Sequence, residues 1–97
     1  MKRIFGITNT NIGENNFVTA QNARLDITGE LEAITTYLNH YNETYDMTAK
    51  QTIMDIVSEE EIHIGQLFGL LFSLDPKAKE HFEKGYNEFI SLNNSNK

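Results

Sequence analysis

The sequence predicts an all-α protein: an antiparallel two-helix hairpin plus a C-terminal helix, with a two-fold dimer completing a four-helix bundle. Two patterns and one size argument lead there. Apolar residues recur at alternating steps of three and four along two long stretches. Asp75-Pro76 then supplies an N-cap and a first-turn proline for a third amphipathic segment. At 97 residues the chain is one domain near the lower limit of what buries an adequate core alone, so partner subunits are expected. No segment needs a strand.

The first helical pattern covers about 27–45. Ile27, Glu30, Ile34, Tyr37 and Tyr41 form its stripe, which Leu31, Leu38 and Tyr45 widen. Gly29 weakens the start by about 1 kcal/mol relative to alanine. Thr48 opens the second helix with Gln51 three residues on, a capping-box spacing. From 49 to 74, Ala49, Ile53, Ile56, Glu60, His63, Leu67, Leu70 and Leu74 step by 4, 3, 4, 3, 4, 3, 4 as one unbroken seam. The third helix, about 76–91, carries a shorter apolar face of Ala78, Phe82, Tyr86 and Phe89. Residues 1–26 hold five asparagines and no sustained period, and are read as a flexible N-terminal arm. Residues 27–91 form the helical domain, and 92–97 a disordered tail.

Bulk properties narrow the function. Net charge is −6, with 14 acidic against 8 basic residues, which argues against nucleic acid or an anionic membrane as partner and favours cations. The chain has no cysteine, which excludes disulfides, thiolate zinc and iron–sulfur chemistry. The longest apolar run, IGQLFGLLFSL, is too short and interrupted to span a bilayer, and KRIFGI makes no signal-peptide core. A cytoplasmic location is expected.

The segment SEEEIHIGQ (58–66) puts Glu60 and His63 at consecutive seam positions where leucines are expected, and Glu30 holds a seam position of helix one. An unpaired buried carboxylate costs several kcal/mol. Nearby cations are scarce: helix one has no Lys or Arg after Arg24, and helix two has Lys50 alone, far from this level. Residues i and i+3 share a helix face, so Glu60 and His63 can ligate one ion. Counted from the turn near 46–48, Glu30 and His63 both lie about 24 Å along their helices, so the three groups can converge. Carboxylates with one imidazole suit iron, with manganese a second candidate. The set is half of a di-iron bundle site, in which two helices give one Glu each and two give Glu-x-x-His. The bland alternative makes Glu59, Glu60 and Glu61 a solvated face and His63 a satisfied core histidine. Tyr37, two turns from Glu30, either borders the metals or is core. His40 and His81 read as surface residues, and the Phe68/Phe72 and Phe82/Phe89 pairs as core or dimer interface.

GELEAITTY (29–37) followed by SEEEIHIGQL (58–67) resembles the encapsulated ferritin family over about residues 27–90. The resemblance implies a ferritin-like bundle and a di-iron ferroxidase centre across a two-fold axis, with two Fe ions per dimer. It puts ligands at Glu30, Glu60 and His63 and a site-adjacent tyrosine at Tyr37. It also implies a homodimer or larger ring such as a decamer, and an encapsulin shell protein as partner, so that the location becomes an encapsulin nanocompartment in the cytoplasm. Fe(II) oxidation for iron storage or detoxification is the expected activity. The resemblance departs at two points: Gly29 stands where the family often has a second acid, and NNSNK ends the sequence without the family's apolar shell-targeting motif. Two other functions fit the same residues: a metal-free helical dimerisation module, and a rubrerythrin-like peroxidase use of the centre, for which a chain without cysteine needs an outside reductant.

Overall fold

The computed structural model describes the backbone of residues 9–95 and the side chains of residues 15–95. It contains three helices, α1 (Asn9–Glu43), α2 (Met47–Leu74) and α3 (Pro76–Ser95), with no strand among the described residues. α1 and α2 form the antiparallel hairpin, and α3 packs on the far end of α2. No helix among the described residues is long and apolar enough to cross a membrane.

α1 starts some eighteen residues before the sequence pattern suggested. Residues 9–26, read as a flexible arm, are helical, and residues 1–8 lie outside the described region. The physical reason is packing. Ala20 and Ala23 continue the 3–4 spacing of Ile27 toward the N-terminus, and all three are buried against Leu71 of α2. Small side chains let the helices approach closely, and Ile64, Leu67, Phe68, Phe72 and Leu74 close around this cluster. The polar surface of this segment hides the stripe from a hydropathy reading. At the other end α3 runs to Ser95, so the tail expected to be disordered is helical as far as that residue.

The two junctions follow capping chemistry. Asp46, with φ −77° and ψ 118°, is the N-cap of α2, and the Thr48 N–H donates to its side chain at 3.2 Å. Thr48 is therefore inside the helix, and Gln51 donates to Asp55 at 3.1 Å instead of closing a capping box. The Lys50 ammonium donates to the Tyr41 carbonyl at 2.7 Å and lies 4.0 Å from the centre of the Tyr41 ring, which ties the start of α2 to the end of α1. At the second junction the Asp75 N–H donates to the Leu71 carbonyl at 2.8 Å. The Asp75 carboxylate accepts from the Ala78 N–H at 3.1 Å, and Pro76 needs no donor at the first turn. Arg24 reaches across from α1 and donates to Asp75 at 2.7 Å.

The molecule is thin and extended, 57 × 39 × 16 Å, with a radius of gyration of 18.7 Å. A compact domain of this length has a radius near 12–13 Å. One layer of two helices cannot enclose a core, and this is why much of the apolar stripe stays at the surface.

Candidate metal centre

Glu30 on α1 and Glu60 and His63 on α2 come together halfway along the hairpin. One ligand atom from each lies within 4.8 Å of the others. The His63 Nδ1 is 3.2 Å from a Glu60 oxygen and 3.9 Å from a Glu30 oxygen. The antiparallel depth match and the i, i+3 spacing produce this meeting, one turn beyond the apolar cluster at Ile27.

The seam itself is offset from the unbroken run 49–74. Val57 and Leu71 are the buried residues of α2, with Ile64 half-buried between them at the heptad spacing. His63 and Leu70 therefore move to one flank, and the His63 side chain is 52% exposed while Glu30 and Glu60 are 27% and 18% exposed. A seven-residue spacing packs against α1, and a residue one step before it turns about 100° away. The bland picture of His63 as a core histidine fails on this exposure. The imidazole stands at an open edge, with the carboxylates behind it.

The two carboxylates face each other, and each shifts the other's pKa. Glu60 holds Glu30 above the ordinary carboxylate range by hydrogen bonding, and partial burial and the Glu60 charge add to this. Glu60 is lowered, first by the Glu30 hydrogen bond and then by His63. One carboxyl thus ionises early and the other keeps its proton longer, as expected of two acids sharing one site. A divalent cation between them would remove the conflict. Two carboxylates and an imidazole are hard and intermediate donors that fit iron or manganese. Three ligands leave coordination positions open on the exposed edge.

Asp26, one turn before Glu30, escaped the sequence reading. With Leu25, Gly29, Glu30 and Leu67 it lines a cavity of about 400 Å³ beside the site, and its charge adds to the pressure on Glu30. Its i−4 spacing from Glu30 was the available signal. A Cβ at Gly29 would meet nothing within 4 Å, so space does not demand this glycine. Tyr37 is half-buried on α1, about 10 Å along the axis from Glu30, at the next level of the seam. Glu32, Glu59, His40 and His81 are exposed. Phe68, Phe72 and Phe82 form one three-ring cluster with centroids 5.6–5.7 Å apart, whereas Phe89 stands away from it in solvent.

An all-helical hairpin with Glu on one helix and Glu-x-x-His on the other defines a ferritin-like protein. No family model matches the chain. It is 32% identical over 69 residues to a ferritin-like–encapsulin shell fusion protein of Pyrococcus furiosus, which covers 71% of this chain and 20% of that protein. It is 30% identical over 70 residues to the encapsulin nanocompartment cargo protein EncC of Myxococcus xanthus, covering 72% of this chain and 54% of that one. The chain thus spans about half the length of one curated relative and a fifth of the other. The crystal structure of the encapsulated ferritin domain from Pyrococcus furiosus superposes with a TM-score of 0.71 at 27% identity, covering 95% of this chain and 87% of that domain. The chain belongs to the encapsulated ferritin family of ferritin-like proteins.

Proposed function

We propose that two copies of this chain join across a two-fold axis to form a di-iron centre that oxidises Fe(II). The observation that carries this reading is the half-site itself: Glu30, Glu60 and His63 within 4.8 Å, with two carboxylates competing for one proton at the edge of the hairpin. A second copy facing that edge doubles the set to four carboxylates and two imidazoles, the ligand count of a di-iron bundle. Each bound Fe(II) gives one electron to dioxygen or peroxide and becomes Fe(III).

The residues have separate tasks. Glu30 and Glu60 would hold the ions, and a cation between them would relieve the mutual pressure that raises Glu30. Their negative charge favours the 3+ product over the 2+ substrate. His63 supplies a neutral nitrogen that binds Fe(II) before oxidation, and the Glu60 carboxylate 3.2 Å away orients the ring. Tyr37 bounds the pocket on the next level. Manganese can occupy the same donor set.

The two relatives, a shell fusion and a nanocompartment cargo protein, support an encapsulin shell as partner and iron storage inside it as the purpose. A nanocompartment in the cytoplasm is then the proposed location. Peroxide as oxidant would give the rubrerythrin-like variant of the same chemistry.

The test is aerobic addition of Fe(II) to the purified protein, followed by near-ultraviolet absorbance, with native mass spectrometry for iron content. Wild type should bind about one ion per copy and oxidise it, as the doubled site requires. Glu60→Ala and His63→Ala should fall to the rate of buffer. Full activity in both variants would refute the site, and a dimer that takes up no iron would favour the metal-free dimerisation module.

A further inference from the structure

The cavity of about 400 Å³ beside the candidate ligands is lined by Leu25, Asp26, Gly29, Glu30 and Leu67. Glu30 belongs both to the ligand set and to the wall of this cavity. Asp26 stands one turn earlier on α1, about 6 Å along the axis, and is exposed to solvent. The cavity therefore joins an exposed carboxylate to a half-buried one that already faces Glu60 and His63.

Its size and lining suit a hydrated ion. A divalent cation with six waters, at about 30 Å³ each, needs roughly 180 Å³. The cavity holds such an ion with its shell intact, so water need be shed only where ligand carboxylates replace it. Leu25 and Leu67 give the cavity apolar walls, and low-dielectric walls concentrate the field of the acids between them. Gly29 lines the same space without a side chain, and a Cβ there would meet nothing within 4 Å, so the way between Asp26 and Glu30 is clear.

The Asp26 charge is also unspent. Among the described residues it takes part in no ion pair. Arg24, the nearest cation in sequence, donates instead to Gln21 and to Asp75, each at 2.7 Å. Lys50, the other cation of the hairpin, is held at the Tyr41 carbonyl.

We propose that this cavity is the way by which a hydrated divalent cation reaches the metal centre, and that Asp26 is the positioning residue that draws the ion in. The inference rests on the proposed metal centre and adds to it a route and a residue. Asp26 is not a ligand of the finished site, since the atoms that converge within 4.8 Å are those of Glu30, Glu60 and His63. A second copy facing the open edge closes the direct path past His63, so an ion needs an approach from the side. The cavity supplies it, and a move of about 6 Å from Asp26 to Glu30 keeps a carboxylate beside the ion throughout.

The experiment is a titration with Mn(II), followed by electron paramagnetic resonance, at low ionic strength and near 1 M salt. One charge about 6 Å from a divalent ion in water changes its population about tenfold. Asp26→Asn should therefore weaken apparent binding by about tenfold at low salt, with the number of ions bound unchanged. Near 1 M salt, where screening acts within about 3 Å, it should converge on wild type. Asp26→Glu, which keeps the charge, should follow wild type at both. Glu60→Ala, which removes a ligand, should lose the ion at both. Gly29→Leu keeps every charge but plugs the cavity. It should lower kcat/KM for Fe(II) oxidation at either ionic strength, with circular dichroism to check that the helices are intact. Binding by Asp26→Asn equal to wild type at low salt, or a deficit undiminished at high salt, would overturn the role of Asp26. An unchanged kcat/KM in Gly29→Leu would overturn the route. A wild type that binds no Mn(II) would instead sink the metal centre itself, and the approach with it.

Discussion

Ile27 and Glu30 are three residues apart on one face of α1, yet they belong to unlike regions. At the Ile27 level Ala20, Ala23 and Leu71 close the gap between the helices, and Leu71 is 1% exposed. At the Glu30 level the partners are Glu60 and His63, and the packing opens onto a cavity and a solvent edge. The apolar region is complete within one chain. The polar region is held in place by that neighbour but unsatisfied by it, because two carboxylates and an imidazole have no other cation at hand among the described ion pairs. A rigid apolar layer next to an unfinished polar one is how a small hairpin can hold ligands in register for an ion.

This contrast can be broken from either side. The largest effect should come from the closed region: Leu71→Ala should destabilise the protein by about 2–5 kcal/mol, through lost burial and the cavity left behind. Denaturant unfolding measures it, and a loss under 1 kcal/mol would mean the cluster is not the anchor.

The open region should respond to metal instead. Under anaerobic conditions Fe(II) at a hundredfold excess over its dissociation constant should stabilise wild type by about 2.7 kcal/mol. Thermal melts should show no such gain for Glu60→Ala.

A smaller effect tests the shared proton. Glu30 is raised in the folded protein, so its contribution supports folding below the carboxylate pKa of the unfolded chain and is lost as pH rises through the folded value. Glu30 is thus the member of the pair that opposes folding at neutral pH, whereas Glu60, lowered by Glu30 and His63, supports it there. Glu30→Gln keeps a hydrogen-bond donor toward Glu60 without the charge. It should raise the metal-free melting temperature at neutral pH, and the advantage should vanish below about pH 4. With Fe(II) present the order should reverse. A variant no more stable than wild type at neutral pH would show that the carboxylates do not compete.

The smallest effect belongs to the junction of the hairpin with α3. Arg24, and then the Ala78 N–H, hold Asp75 below the ordinary range, so its contribution is present above that range and is lost as pH falls through the folded value. Both side chains are partly in water, which limits the gain. Arg24→Ala should bring acid unfolding to a slightly higher pH with little change at neutrality, as a pH series of melts would show.

The helical class, the turn near 46 and the Asp75-Pro76 junction were legible in the sequence because capping and the 3.6-residue period are local properties. Glu30, Glu60 and His63 were legible because polar residues interrupt an otherwise apolar stripe. Residues 9–26 were not. Alanine carries little hydropathy signal, and its burial depends on Leu71, about fifty residues away. The Gln51 capping box failed for a local reason, since Asp46 offered a carboxylate to the Thr48 N–H first.

Residue identity and spacing by themselves determined the helical class, the two junctions and the three candidate ligands, since each rests on neighbours within a turn or on a simple count from the bend. Only the tertiary structure decided the rest: that His63 lies on an open flank, that the two carboxylates oppose each other, and that α3 stands clear of the hairpin with its aromatic side uncovered. Those depend on which heptad register packs against α1. A shift of one residue rotates a side chain by about 100°, and period alone does not specify that rotation.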